Sequence, residues 1–275
     1  MKTLGIDVGS STAKAVIFGD EGIVAWHLIP TGPDSVETAQ TVSDHVLAET
    51  KLRLDELDSI ISTGYGRIVV PFAHKNISEI SCHAKGANYF HPAVRTILDM
   101  GGQDCKAISC DDNGKVTNFV MNDKCAAGAG RSMFIVSEIL ETPLAELGPL
   151  SLEPVQGAVP VSSTCVVLAR SEILHYLRQG VSKNDILAGA CDALCSRVKG
   201  QLRRVGVQPD FMVTGGIAKN IGVVRRVEKQ IGLTSHSCFE PQIVGALGAA
   251  ILAREVAQKK ANKKRRRREP LTLRQ

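Results

Sequence analysis

The chain contains one strand–turn–strand pattern twice, and this repeat limits its fold more than any other feature of the sequence. Residues 4–18 read LGIDVGSSTAKAVIF and residues 97–109 read ILDMGGQDCKAIS. Each copy places an Asp-x-Gly turn after an apolar strand and then continues into a second strand. A hairpin signal follows each copy, at residues 20–22 and at residues 111–114. The repeat predicts two domains of similar topology.

Glycine-rich turns at strand ends indicate a phosphate site. The two repeats supply Asp7-Val8-Gly9 and Asp99-Met100-Gly101, and a third predicted strand ends in Thr214-Gly215-Gly216. Backbone N–H groups in such turns can face phosphate oxygens, and a nearby carboxylate suits Mg²⁺. A single turn of this kind is typical of any strand that ends in an Asp turn. Three of them predict a nucleotide cleft between two domains.

The remaining chain predicts helices separated by strands. Helical spacing covers residues 34–52, 126–141, 183–205, 220–231 and a small-residue segment near the C-terminus, whereas 71–89 reads as short helices and loops. We therefore expect a first domain of residues 1–94 plus 243–258. A second domain, 95–242, carries the cysteines discussed below, and 259–275 forms a basic tail.

Positive charge is concentrated in that tail. Residues 259–268 carry eight Lys and Arg, so the rest of the chain has 25 Lys and Arg against 28 Asp and Glu. A charge run of this kind predicts a disordered, solvated extension. The alternative is docking to an acidic partner or to nucleic acid, and we expect the solubilising role. The N-terminus lacks a signal peptide and no apolar run is long enough to span a membrane, which predicts a cytoplasmic protein.

Four segments together resemble the actin–hexokinase–heat-shock-protein ATPase superfamily. Residues 4–18 resemble its first phosphate motif, 97–109 its second, 212–220 its adenosine motif and 242–253 its last connecting helix. The resemblance implies an α/β fold of two tandem RNase H-like (actin-like ATPase) domains with an interdomain nucleotide cleft. Kinases, chaperones and filament proteins share this fold, so the resemblance does not define the reaction.

Two further stretches are more specific. MNDKCAAGAGR at 121–131 and SSTCVVLARSE at 162–172 resemble the activators of 2-hydroxyacyl-CoA dehydratases, a family that also contains the ATPase subunits of benzoyl-CoA reductase. The resemblance implies that Cys125 and Cys165 ligate a [4Fe–4S] cluster. In that family, the stretch after the second cysteine often reads Ala-Glu-Ser-Glu; here Arg170 replaces the first Glu.

The residues themselves are consistent with this implication. A [4Fe–4S] cluster needs four thiolates, and a twofold homodimer would supply two from each chain. Cys125 precedes a predicted helix, whose N-terminal N–H groups favour negative charge. The small residues 126–130 leave the backbone bare, so we expect the cluster to approach it there. The other six cysteines, 82, 105, 110, 191, 195 and 238, receive no ligand role, since a free cysteine is usually a small core residue.

The nucleotide roles follow the three turns. We expect Asp7 and Asp99 to organise Mg²⁺ and water, and Gln103 either to orient the attacking water or to cap its turn. Gly101 and Gly102 would line the γ-phosphate side, and Gly215 and Gly216 the nucleoside. The β-phosphate side would be lined by Gly9, Ser10, Ser11, Thr12 and Lys14.

The predicted protein is an ATP hydrolase coupled to electron transfer. It would take an electron from a ferredoxin or flavodoxin and deliver it to an iron–sulfur dehydratase. A benzoyl-CoA reductase or a double-cubane cluster protein is the alternative partner. A small-molecule kinase or a chaperone-like ATPase without a cluster is the alternative from another class, and nucleic-acid binding through the tail is a third.

Overall fold

The computed structural model describes residues 1–121 and 128–268, so Cys125 lies outside the described residues. The chain divides into two compact units. Unit 1 contains Met1–Gly86 and the C-terminal segment from Gly245, and unit 2 contains Ala87–Val244. The first division thus lies earlier in the chain than the predicted boundary at 94/95, and the second lies beside the predicted 242/243.

The secondary structure alternates between strands and helices. In chain order, the strands are β1 (Thr3–Val8), β2 (Thr12–Gly19), β3 (Gly22–Pro30), β4 (Ser59–Thr63), β5 (Lys75–Asn76), β6 (Thr96–Met100), β7 (Cys105–Cys110), β8 (Val116–Met121), β9 (Phe211–Thr214) and β10 (Ser235–His236). The helices are α1 (Ser35–Thr50), α2 (Glu79–Phe90), α3 (Ala129–Leu140), α4 (Leu144–Ser151), α5 (Val166–Arg178), α6 (Lys183–Val205), α7 (Ile221–Ile231) and α8 (Val244–Arg268).

The two units contain sheets of the same topology. Unit 1 has the strand order β3-β2-β1-β4-β5, and unit 2 has β8-β7-β6-β9-β10. In each sheet the central strand pairs antiparallel with the strand that follows it and parallel with the strand on its other side. The predicted internal repeat is therefore confirmed: β1 corresponds to β6, β2 to β7 and β4 to β9.

Each central strand is buried along its whole length, as its apolar sequence requires. In unit 1, α8 lies against β1 at Gly5, where an added Cβ would overlap the backbone of Ala246 and Ala250. The small residues of α8 permit this close approach. In unit 2, the core packs Leu98 and Phe211 of the sheet with Met133 of α3 and Leu194 of α6.

Four helices differ from the sequence prediction. Residues 79–90 form the single helix α2, and α4 and α5 lie in stretches for which no helix was predicted. The β-branched pair Val166-Val167 disfavours a helix locally, but α5 buries Ala169 and Ile173, and tertiary packing outweighs propensity. Helix α8 continues to Arg268 where disorder was predicted, because Lys, Arg and Ala are good helix formers and the next Pro is residue 270. None of the described helices has the length and apolar composition needed to cross a membrane.

Candidate functional site

The first repeated turn lies at the carboxyl end of β1. The Gly9 N–H donates to the carbonyl oxygen of Thr12 at 3.1 Å, which closes the turn between β1 and β2. Asp7 and Lys14 are cross-strand partners, and the Lys14 Nζ lies 3.3 Å from the Asp7 Oδ2. The Lys14 Nζ also donates to the Thr12 carbonyl at 3.2 Å. A buried carboxylate and its ammonium partner thus lie directly below an accessible turn.

The second repeated turn has the same construction. The Gly101 N–H donates to the Asp104 carbonyl at 2.9 Å. Lys106 is the cross-strand partner of Asp99, and its Nζ lies 3.3 Å from the Asp99 Oδ2. The same ammonium lies 2.5 Å from the Asp104 Oδ1. Lys14 was selected from the sequence and Lys106 was missed, although in both repeats a Lys follows the Asp after seven residues.

A glycine in the left-handed region follows the parallel neighbour of each central strand. Gly64, after β4, has φ +85°, and Gly215, after β9, has φ +83°. An added Cβ at Gly64 would overlap the Asp7 Oδ1, and one at Gly215 would lie 2.7 Å from the Asp99 Oδ1. The Thr214 hydroxyl, also in unit 2, donates to the Asp99 Oδ1 at 3.3 Å. Glycine is therefore needed beside both carboxylates.

The predicted nucleotide residues lie around these turns, each within its own unit. Unit 1 holds Asp7, Lys14 and the turn 9–12, of which Asp7 and Lys14 are buried and Ser11 is exposed. Unit 2 holds Asp99 and Gly215, both buried, beside the turn 101–103, in which Gln103 is exposed, and the exposed Gly216. The carboxyl ends of parallel strands are common ligand sites in α/β sheets.

The turn at 101–103 is hydrogen-bonded to the first turn of α3. The Gly130 N–H donates to the Gly101 carbonyl at 3.0 Å, and the Arg131 N–H donates to the Gly102 carbonyl at 2.9 Å. An added Cβ at Gly128 would overlap the Gln103 backbone. From the sequence, a cluster was expected to approach the bare backbone of residues 126–130. At Gly128 and Gly130, the group that approaches is the backbone of residues 101–103. This close approach is possible because neither glycine has a side chain.

Cys165 lies at the N-cap of α5 and is half-buried. The backbone N–H groups of Leu168 and then of Val167, at the start of α5, lower the pKa of the Cys165 thiol, and the positive charge of Arg197 acts in the same direction. Burial opposes this shift. A thiol whose pKa is lowered in this way is a ready metal ligand, because the thiolate is the form that binds metal. Its predicted partner Cys125 lies outside the described residues.

The loop before Cys165 is held by two side chains that were not selected for that task from the sequence. The Glu172 Oε2 accepts the Ser162 N–H at 2.6 Å, and the Arg197 guanidinium donates to the Ser163 carbonyl. Arg170, which departs from the family pattern, is exposed. Glu172 follows Cys165 by seven residues, which is about two helical turns. This spacing places both residues on the same side of a helix and could have indicated that Glu172 lies near Cys165.

Five other cysteines are buried. Burial raises the pKa of Cys82, Cys105 and Cys195 to about 12, and it also raises the pKa of Cys191. Such thiols stay protonated at neutral pH, which fits the core role predicted for them. Cys165 differs from them in both exposure and the direction of its pKa shift.

Comparison with known proteins assigns the chain to a protein family. The family model described as "BadF/BadG/BcrA/BcrD ATPase family" matches residues 4–253. The chain belongs to this family. The activator of lactoyl-CoA dehydratase from Anaerotignum propionicum is 46% identical over 94% of this chain and 100% of that protein. The (R)-2-hydroxyglutaryl-CoA dehydratase activating ATPase from Acidaminococcus fermentans is 42% identical over 94% of this chain and 98% of that protein.

A solved structure gives the same assignment. The activator of the 2-hydroxyisocaproyl-CoA dehydratase from Clostridium difficile, with bound ADPNP, superposes with a TM-score of 0.90. It is 39% identical and covers 96% of this chain and 98% of that one. The resemblance to dehydratase activators, the two-domain α/β fold class and the prediction of an ATPase are therefore confirmed.

Proposed function

We propose that this ATPase is an activator that delivers a low-potential electron to an iron–sulfur enzyme of the 2-hydroxyacyl-CoA dehydratase type. Relatives at 46% and 42% identity over nearly the whole chain are named as such activators or activating ATPases. A reductase related to benzoyl-CoA reductase is the alternative partner. The nearer relatives favour the dehydratase.

The observation that carries this proposal is the backbone connection between the turn at 101–103 and α3. Two hydrogen bonds of 3.0 and 2.9 Å join Gly101 and Gly102 to the first turn of the helix. In the sequence, Cys125 lies four residues before the first residue of α3. A change at the turn when phosphate binds or leaves would be transmitted to the start of α3 through these backbone hydrogen bonds.

The two Asp–Lys pairs would serve ATP hydrolysis. Asp7 and Asp99 would position Mg²⁺ through water, since Mg²⁺ retains several waters and uses few carboxylates. The Gly9 and Gly101 N–H groups close their own turns, and the other N–H groups of the turns 9–12 and 101–102 would face the β- and γ-phosphate sides. Gln103 is exposed and free to orient a hydrolytic water, and Gly215 and Gly216 would lie toward the nucleoside.

Cys125 and Cys165, contributed by two copies of the chain, would hold a shared [4Fe–4S] cluster. Cys165 fits this role, because N–H groups of Leu168 and Val167 stabilise its thiolate. Val167 and Leu168 expose apolar side chains in the same helical turn, 65% and 54% of their surfaces, as a homodimer contact would require. When bound, the cluster supplies a one-electron carrier, loaded in the cytoplasm by a ferredoxin or flavodoxin.

Anaerobic iron and sulfide analysis, combined with the oligomeric mass, tests the proposal. We expect four irons and four sulfides per two chains, since one cluster takes four thiolates. Cys165→Ser should lose the iron. Cys238→Ser is the matched control, because Cys238 is also half-buried in unit 2 but has no predicted ligand role.

Two results would contradict the proposal, and a third would contradict the ligand role of Cys165. Protein that is grown and purified without oxygen and still contains no iron would exclude the cluster. Phosphorylation of a small molecule at a rate that Cys165→Ser does not change would indicate a kinase. Full iron content in Cys165→Ser would move the ligand role to another residue.

A further inference from the structure

Two histidines and an aspartate meet at the other end of the unit 2 sheet. The Nε2 atoms of His91 and His236 lie 3.2 and 3.1 Å from the same Asp210 Oδ1. The two imidazole rings stack with centroids 3.5 Å apart. All three potential ligand atoms lie within 4.8 Å of one another. No motif in the sequence joins these residues, and the nucleotide turns do not include them.

The backbone holds this triad in place. Asp210 precedes β9 with a left-handed φ of +60°, and its carbonyl accepts the Arg95 N–H at 3.0 Å. His236 lies on β10, which pairs with β9. His91 follows α2 directly. The Thr96 hydroxyl donates a hydrogen bond to the Gln208 carbonyl and accepts one from the Gln208 N–H. These bonds fix the segment before Asp210 to β6. Three separate segments thus present their ligand atoms from well-fixed positions.

We propose that His91, Asp210 and His236 form a binding site for a divalent transition-metal ion, with zinc as the best fit. Imidazole nitrogen and carboxylate oxygen are preferred zinc ligands. Tetrahedral zinc with bonds of about 2.0–2.1 Å keeps its ligands roughly 3.3 Å apart, close to the two measured separations. Three protein ligands leave the fourth position for water.

The site is accessible and has the charge that a cation requires. The side chains of His91, His236 and Asp210 are 29%, 38% and 42% exposed, so an ion can enter from solvent. The Asp210 carboxylate, which both imidazoles face, supplies a negative charge. In the absence of metal, both imidazoles donate to the carboxylate through Nε2–H, so the triad is also satisfied as a hydrogen-bonded group.

The position of the site would let an ion cross-link three segments of unit 2. Asp210 lies at the amino end of β9, whereas Gly215 of the nucleotide turn follows its carboxyl end. An ion at the triad would join the segment after α2 to β9 and β10 and stabilise unit 2. It would not touch the turns proposed to bind nucleotide.

Zinc binding to the full chain tests the proposal. The background variant is Cys125→Ser/Cys165→Ser, so that the proposed cluster ligands cannot take the ion, and the result is independent of the proposed function. Calorimetry with zinc chloride alone should give one ion per chain and a zinc-dependent rise in Tm. His91→Ala and His236→Ala should each weaken binding by at least the ~10–100-fold that loss of even an outer-shell partner causes.

His45→Ala is the matched control, because His45 is an exposed histidine of unit 1 that also contacts a second histidine. It should leave zinc affinity unchanged. Asp210→Asn keeps an oxygen that accepts both imidazole N–H groups, so it should fold normally and still bind zinc more weakly. Absence of zinc binding in the background variant would overturn the proposal, as would equal affinity in the two histidine variants and the His45→Ala control.

Discussion

The two sheets repeat one arrangement, and their differences show what each unit contributes. In unit 1, the Lys14 ammonium contacts one carboxylate, Asp7, and the carbonyl of Thr12. In unit 2, the corresponding Lys106 contacts two carboxylates, Asp99 and Asp104. The turn and its Asp–Lys pair are common to both repeats. The additional carboxylate makes the second pair the more heavily charged of the two.

The larger difference lies in the connection after the third strand of each repeat. Unit 1 connects β3 to β4 through the single α-helix α1, whereas unit 2 connects β8 to β9 through α3, α4, α5 and α6. The first of these helices binds the turn at 101–102, and the third begins after Cys165. The repeat therefore supplies a phosphate-type turn twice, but only the second copy is connected to helices with candidate cluster ligands.

The connection between the turn and α3 should be the most sensitive point of this comparison. Gly128→Ala places a Cβ where the Gln103 backbone lies, so either the turn or the helix must shift. A misplacement of about 1 Å at a coupled site costs about 10²-fold in rate, and we expect a loss of that size in the activation of a 2-hydroxyacyl-CoA dehydratase. The measurement is dehydratase turnover with the variant as activator.

The matched control for this variant is Gly200→Ala. Gly200 lies within α6, and an added Cβ there meets no atom within 4 Å. It should activate like the unchanged chain. Full activation by Gly128→Ala would show that electron delivery does not depend on the contact between the turn at 101–103 and α3. The main support for the proposed coupling would then be lost.

The two lysines should differ in their contribution to stability. Lys106→Met leaves Asp99 and Asp104 buried without their ammonium, and breaking such a buried pair costs about 3–5 kcal/mol. Lys14→Met leaves one buried carboxylate unpaired instead of two, so its cost should lie at the lower end of that range, about 3 kcal/mol. Denaturant unfolding followed by circular dichroism gives both values. Lys106→Met/Asp104→Asn should recover part of the loss, and equal costs for the two lysines would show that Asp104 adds nothing.

The paired glycines should give the smallest effect and show where the repeats agree. Alanine at Gly64, Gly215 or Gly180 must adopt a positive φ, which costs about 1–3 kcal/mol at each position. Gly180 has open space around its Cβ position, whereas an added Cβ would overlap Asp7 and the Val8 backbone at Gly64, and Asp99 and the Met100 backbone at Gly215. We expect these two variants to lose about 1–3 kcal/mol more than Gly180→Ala. Thermal unfolding of the three variants in parallel checks this, and identical losses would mean that the atoms around Gly64 and Gly215 shift without cost.

The sequence by itself determined the repeat, the predicted turns and the family. These features are local: a strand, a turn and the next strand lie within about fifteen residues, and the same pattern appears again at 97–109. Lys14 was selected from such a window. Lys106 was readable by the same spacing and was missed.

Only the tertiary structure decided which distant groups meet. Helix α5 buries Ala169 and Ile173, which outweighs the local effect of the β-branched pair at its start, and this helix supplies the N–H groups around Cys165. His91 and Asp210 are 119 residues apart in the chain, and the backbone contact at Gly128 joins a turn to a helix beyond the next hairpin. Such contacts depend on how sheets and helices pack against one another. Close packing joins side chains that are far apart in the sequence, so no local sequence pattern predicts them.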